Sequence, residues 1–295
     1  MPNTSRVLAG LLAAAAFGLG ACSDSNSPTN TPLTAASAQP VGDAMASTAD
    51  LAISAITPSV PDFGLGFPLF SRGRAIGGGI QFAPPDSLPT CPSASNLTDT
   101  DQDGVPDNAT WSFTTANCTQ TDIDGNRSVI TGSVVVTDPG LTAGYDLHLN
   151  ALTAQFYQTG ASSPLLQLVM DGAWALRGTS RTLTADQNYT FVLTAQGQRA
   201  TLANDLAVSF TTTGPTPIAW GTALPDGNIS ISGAWRVSSS RENHSLDLTT
   251  ITPLVYDDAC GGIVGGVLDA RGTGGNVRVT WTACGVHTNQ YLPAS

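Results

Sequence analysis

No lysine occurs anywhere in the 295 residues, and glutamate occurs once, at Glu242. Charged side chains make up only 11% of the chain, which excludes exposed, salt-bridged helices as its main component. Lysine and arginine together number 11 against 22 acidic residues, and the formal charge of −11 argues against a basic surface for nucleic acid. The histidines His148, His244 and His287 form no HExxH motif and no close pair, so catalytic zinc has little support. Signatures of nucleophilic catalysis (GxSxG, SxxK with its companions, a cysteine set beside histidine) are missing in usable form. A glycosidase would need two aspartates, or an aspartate with Glu242, and nothing marks which.

What is present begins at the N-terminus. Arg6 precedes an apolar stretch from Val7 to Leu19 that is too short to span a bilayer and has the proportions of a signal-peptide core. It runs into Leu19-Gly20-Ala21-Cys22, which resembles the lipobox of bacterial lipoproteins. The resemblance implies cleavage before Cys22, lipid on the Cys22 thiol, and attachment to a membrane of the cell envelope. Ser23 stands where aspartate favours inner-membrane retention in enteric lipoproteins, so the resemblance points to the outer membrane. Residues 1–21 are therefore read as a leader and residues 22–40, rich in Ser, Thr, Asn and Pro, as a disordered tether of roughly 25 Å as a coil. Removing the leader takes away one arginine and no acid, leaving 10 basic against 22 acidic residues, a charge of −12.

Four further cysteines remain, Cys91, Cys118, Cys260 and Cys284, an even number suited to disulfides in an oxidising compartment. Three connectivities are possible. The pairs Cys91–Cys118 and Cys260–Cys284 are favoured because each brackets a short strand-turn-strand segment. No CxxC or CxH spacing supports a metal site built on these thiols.

One segment has helical spacing: Met45, Ala49, Ala52 and Ile56 follow Asp43, a candidate N-cap, and Pro58 ends the run. Residues 59–90 have no clean period apart from a candidate strand near Gly79 to Phe82, so residues 41–90 are read as a short helix plus an irregular segment packed on a β domain spanning residues 91–295. Within that domain, short runs of Val, Ile, Thr, Leu and aromatic residues alternate with polar ones between Gly, Asp, Asn and Pro. Tyr145, Leu147 and Leu149 alternate with Asp146, His148 and Asn150; Leu246 and Leu248 alternate with Ser245, Asp247 and Thr249; Val277 and Val279 alternate with Arg278 and Thr280. One face is buried and one is wet. A loose repeat places glycine inside strands, around Gly132, Gly172-Ala173-Trp174 and Gly233-Ala234-Trp235, the device that bends a sheet. The expected fold is all-β: an antiparallel meander of roughly ten strands, curved into an open sheet or a barrel, with a β-sandwich as the alternative. Trp111, Trp174, Trp220, Trp235 and Trp281 fall in expected strands and are read as core.

The most specific local motif is Asp99-Thr100-Asp101-Gln102-Asp103-Gly104-Val105-Pro106-Asp107. Carboxylates at alternate positions before a glycine let several oxygens converge on one hard cation. These nine residues resemble the DxDxDG calcium loops of thrombospondin type 3 repeats and EF-hands. The resemblance implies calcium held by Asp99, Asp101, Asp103 and Asp107 with the Val105 carbonyl. Thr110 replaces the terminal bidentate glutamate and no helices flank the loop, so the other reading is an aspartate-rich turn that caps its own backbone. The neighbouring Asp122-Ile123-Asp124-Gly125 reads as a hairpin turn.

Three functions fit these residues. The first is a non-enzymatic structural or binding module, lipid-anchored and stiffened by calcium. The second is a carrier that encloses a small apolar ligand in a barrel, and the third a surface hydrolase using aspartates. The absence of catalytic motifs sets that order.

Overall fold

The structure is a computed structural model that describes residues 30–56, 91–101, 105–140, 143–195, 197–219, 222–239 and 242–294. The leader, Cys22, the candidate strand at Gly79–Phe82, Asp103 and Trp220 lie outside the described residues.

Among the described residues thirteen strands form one antiparallel sheet. They are β1 (Ser93–Ser95), β2 (Asn108–Phe113), β3 (Thr119–Thr121), β4 (Arg127–Thr137), β5 (Ala143–Tyr157), β6 (Leu166–Gly178) and β7 (Thr182–Ala195). There follow β8 (Gln198–Thr212), β9 (Gly227–Ser238), β10 (Asn243–Asp257), β11 (Gly262–Gly272), β12 (Gly275–Ala283) and β13 (Val286–Pro293). From β4 onward each strand pairs with the next, while β3 pairs with β4 beside the β1-β2-β4 path. The sheet is open: β1 and β13 are its two edges and do not meet. This is the expected curved meander, with more strands than expected and without barrel closure.

The alternation read from the sequence is the alternation that packs. Tyr145, Leu147, Leu149, Leu246, Leu248, Val277 and Val279 are buried, whereas His148 and Asn150 are exposed. Trp111, Trp174, Trp235 and Trp281 are core residues, as expected. Two glycines show why bends fall where they do. Gly172 and Gly233 lie inside strands at φ 140° and 131°, and a side chain on either would run into the backbone of the adjacent strand at Asn188 and Asp205 respectively. At these positions only glycine lets the neighbouring backbones close up.

A single described helix, α1 (Ala35–Ile56), packs against β7, β8, β11, β12 and β13, so it runs along the inside of the curved sheet. Ala38, Val41, Met45, Ala49, Ala52 and Ile56 are buried along one face, and Ala44, Ala46, Thr48 and Ile53 widen it. The helix starts eight residues before the expected Asp43. Thr34 and Ser37 form a reciprocal cap, the Thr34 N–H donating to Ser37 Oγ at 2.8 Å and the Ser37 N–H to Thr34 Oγ1 at 3.3 Å. Pro40 falls inside the helix, and Asp43, expected as the N-cap, is an interior residue with a different task.

That task is to fasten α1 to the sheet. The Asp43 carboxylate accepts from Asn289 Nδ2 at 2.8 Å and from Gln39 Nε2 at 3.0 Å, and it lies 3.0 Å from His287 Nε2. Farther along, Trp235 Nε1 donates to Thr48 Oγ1 at 3.0 Å in the core. The segment before the helix is docked as well. Thr31 N–H donates to the Asn243 carbonyl and Leu33 N–H to the Thr273 carbonyl, each at 2.6 Å, and Asn30 bonds Thr273 and Ser245. The tether expected up to residue 40 is therefore bound to the domain from Asn30 onward. Backbone donors of its Thr-rich stretch find partners at the ends of β10 and β11 instead of water.

Candidate functional site

Strand direction alternates through the meander, so every turn falls at one of two strand ends. One end, here the entry end, holds the β9–β10 and β11–β12 turns, where Asn30–Leu33 join the domain. The other, far end holds the β1–β2 loop together with the β4–β5, β8–β9, β10–β11 and β12–β13 connections.

The aspartate motif sits at the far end, between β1 and β2. Asp107 works as a staple within its own loop: Thr100 N–H donates to Oδ1 at 3.0 Å and Thr100 Oγ1 to Oδ2 at 2.5 Å. These bonds, the side-chain one first, hold the Asp107 carboxyl below the usual carboxylate range. Val105 is buried in the core and roots the loop in the sheet. The register Asn108↔Thr137 brings in a residue with no place in the motif, Asp138, whose N–H meets the Asp107 carbonyl at 3.3 Å. Burial raises the Asp138 carboxyl above its ordinary value, and the charges of Asp101, Asp107 and Asp99 push the same way against a bond from Gly140 N–H. Four described carboxylates thus share one corner and feel one another. Among the described residues no three His, Cys, Asp or Glu side chains converge closely enough to hold a metal as they stand. Asp103 is outside that set.

Asp122 behaves as the hairpin reading expects. Its carboxylate caps the β3–β4 turn, accepting from Asn126 N–H at 2.8 Å and Asp124 N–H at 3.0 Å. The disulfides join Cys91 to Cys118 and Cys260 to Cys284, with Cα separations of 5.1 and 6.0 Å. The first restrains the entry side of β1, and the second clasps the β10–β11 turn to the β12–β13 turn at the far end.

The three histidines are dispersed. His148 is exposed on β5, and His287 is committed to Asp43. His244 is 3% exposed, with Nδ1 3.1 Å from the Thr31 carbonyl and Nε2 3.2 Å from a Glu242 carboxylate oxygen. It borders a cleft between α1 and β9–β10 lined by Val41, Ala44, Trp235, Val237, Ser239 and Glu242. Space inside that cleft is about 10 Å³, room for one water. Both ring nitrogens of His244 face oxygen partners, the Thr31 carbonyl and the Glu242 carboxylate, which fixes the ring at the junction of the N-terminal segment and the β9–β10 turn.

A second polar feature lies in the core, where Gln187 is 1% exposed and neither of its amide atoms has a partner. Two residues on along β7, Tyr189 accepts from Asn204 Nδ2 at 2.7 Å across the β7–β8 ladder, and burial lifts the Tyr189 phenol far above its usual range. Neither Gln187 nor Asp138 stands out by type, and a signal existed only for Gln187. It occupies an inward position of the alternation Leu183, Ala185, Tyr189, Phe191.

Comparison with protein-family models, with curated proteins and with solved structures finds no match to this chain.

Proposed function

We propose that the chain is a non-enzymatic module of the bacterial cell envelope, carried on the outer membrane by lipid on Cys22, with calcium stiffening the acidic corner at its far end. The observation that supports this most is the electrical difference between the two strand ends, taken with the place where the N-terminal segment enters. Arg127, Arg199, Arg236 and Arg271 fall toward the entry end and balance Asp122, Asp124, Glu242 and Asp247. At the far end lie Asp99, Asp101, Asp107 and Asp138 at one corner and Asp226, Asp257 and Asp258 at another, against Arg177 and Arg181. Strands of 12 to 15 residues, such as β9 and β10, separate the ends by roughly 40 to 50 Å, several screening lengths at physiological salt. A membrane surface carrying anionic headgroups repels the acidic end and tolerates the entry end. Lipid at Cys22, eight residues before the docked Asn30, holds that same entry end down.

The acids at the far end supply the donor chemistry that calcium takes, oxygen ligands with surplus negative charge. Asp99, Asp101 and Asp103 would hold the ion beside Asp138, with Asp107 fixing the loop and the Val105 carbonyl behind it. The ion's contribution is to cancel the mutual repulsion of these carboxylates.

Anchoring is tested by Cys22→Ser in the native host. Lipid labelling is expected to vanish and the unprocessed precursor to accumulate. A variant that is cleaved and secreted normally defeats the proposal.

A further inference from the structure

The two edges of the sheet are built differently. β1 is three residues long, whereas β13 runs eight residues and, among the described strands, pairs only with β12. Edge strands are ordinarily blunted by charge, proline or a bulge, because their outward N–H and C=O groups are a template for another strand. From Val286 to Leu292 the edge contains no acid, no arginine and no glycine, in a chain with 22 acidic residues, and its proline, Pro293, comes only at the last position of the strand. Its irregularity falls at its first step: the pairs Ala283↔Val286 and Trp281↔His287 leave Thr282 of β12 as the extra residue, so the bulge is carried by β12 and not by the edge strand itself.

The side chains of this edge read alike from either direction. About Asn289 as centre, Val286 is matched by Leu292, His287 by Tyr291 and Thr288 by Gln290: apolar with apolar, ring with ring, polar with polar. Antiparallel pairing sets residues of the same face opposite one another, so a second copy aligned Asn289 to Asn289 makes all of these matches at once. A slip of one residue would set the inner face against the outer. A slip of two would put Val286 opposite Gln290 or Ala294. On the outer face Val286, Thr288 and Gln290 are exposed, Val286 at 54%, and ready to be covered. On the inner face His287 and Asn289 hold Asp43 of α1, which keeps the strand in shape before any partner arrives.

We infer that two copies of this chain join through β13, antiparallel about a two-fold axis at Asn289, to form one continuous sheet. The pairing makes roughly six to eight backbone hydrogen bonds and uses both long edges, so it stops at two copies. The short β1 edges are left outside it. Its area is small by the standard of permanent interfaces, so the dimer is concentration-dependent. The axis also reverses strand direction, which turns the charge-balanced entry end of each copy toward the acidic end of the other and keeps the two acidic ends apart. The two N-terminal segments then leave from opposite strand ends, so copies anchored through Cys22 pair across facing lipid surfaces. That consequence rests on the anchoring proposal; the pairing itself does not.

Sedimentation of the detergent-dispersed full chain from about 1 µM to about 1 mM tests the pairing alone. A reversible monomer–dimer equilibrium is expected. Thr288→Lys with Gln290→Lys sets like charges opposite each other twice in this register and is expected to weaken the dimer about tenfold or more. Thr288→Lys with Gln290→Glu sets opposite charges there and is expected to restore it to wild-type strength. Both positions are exposed, and an unchanged unfolding midpoint confirms that each variant is folded. A wild type that stays monomeric, species larger than a dimer, or two double variants of equal dimer strength would each overturn the inference.

Discussion

If α1 is an integral part of the sheet's core, its hydrogen bond with Trp235 can be used to measure how firmly it is held. Trp235 is 2% exposed and Thr48 4%, and the Thr48 hydroxyl accepts from the indole while donating to the Ala44 carbonyl at 3.0 Å. Thr48→Val keeps the shape and removes the acceptor, leaving a buried indole N–H with no partner. The cost of such an orphaned donor is about 1 to 3 kcal/mol. Thr48→Ser keeps the hydroxyl and deletes one buried methyl, at about 1 kcal/mol. For a domain of this size each kcal/mol moves the midpoint by roughly 2 to 4 °C, so Thr48→Val should fall by about 2 to 12 °C. Thermal and urea unfolding of the pair gives the comparison, and hydrogen exchange of the α1 amides gives the location. In Thr48→Val the α1 amides should lose protection in step with the global stability. A Thr48→Val protein as stable as wild type, or α1 amides that exchange freely in the wild type, would refute the idea that the helix belongs to the core.

Two further outcomes follow from single side chains. Gln187→Leu should stabilise the chain by about 1 to 3 kcal/mol in urea unfolding, because it replaces two unpaired buried amide atoms with apolar ones; destabilisation would mean that the amide is bonded in solution. The raised Asp138 carboxyl favours folding while it is protonated, and that contribution is lost as pH rises through its folded value, so in EDTA at pH 7 Asp138→Asn should melt higher than wild type and near pH 3 the two should converge. Millimolar calcium should raise the wild-type midpoint more than that of Asp138→Asn, and equal midpoints for the wild type in EDTA and calcium would leave only an aspartate-capped loop.

Much of the sheet could be read from the sequence because half-buried antiparallel strands must alternate, as β5 does from Tyr145 to Asn150, β10 from His244 to Thr249 and β12 from Gly275 to Trp281. β1 and β3 could not, since three residues such as Ser93–Ser95 or Thr119–Thr121 have no room for a period and little apolar content. Closure was equally hidden, for it depends on whether the two edges match, and β1 is too short to serve β13. The start of α1 was misread for a chemical reason. Serine, not glutamate, completes the cap at Thr34, Pro40 looks like a breaker, and Asp43 has the chemistry of a cap but uses it on Asn289, 246 residues away. Asp138 lies 31 residues beyond Asp107, and only the β2–β4 register makes them neighbours. The disulfide pairs were accessible because each closes a short hairpin-like excursion, so local geometry dictated the partner.

The same geometry weighs the carrier reading against the structural one. A carrier of a small apolar molecule needs an interior of roughly 300 Å³ or more. α1 runs along the inner side of this sheet, and the cleft beside it has about 10 Å³. To admit a ligand the helix would have to leave, exposing Met45 and Ile56, each completely buried, at about 1.5 to 3 kcal/mol apiece. It would also break the Trp235–Thr48 bond and the Asp43 cluster, with their charge-assisted hydrogen bonds. These losses together approach the roughly 8 kcal/mol of an entire micromolar affinity. A ligand would have to recover all of that before showing any net binding. With its N-terminal segment built into the inner face of the sheet, the chain spends its apolar surface on joining its own entry segment to the sheet. What it leaves for other molecules is its two contrasting ends and the uncharged edge of β13.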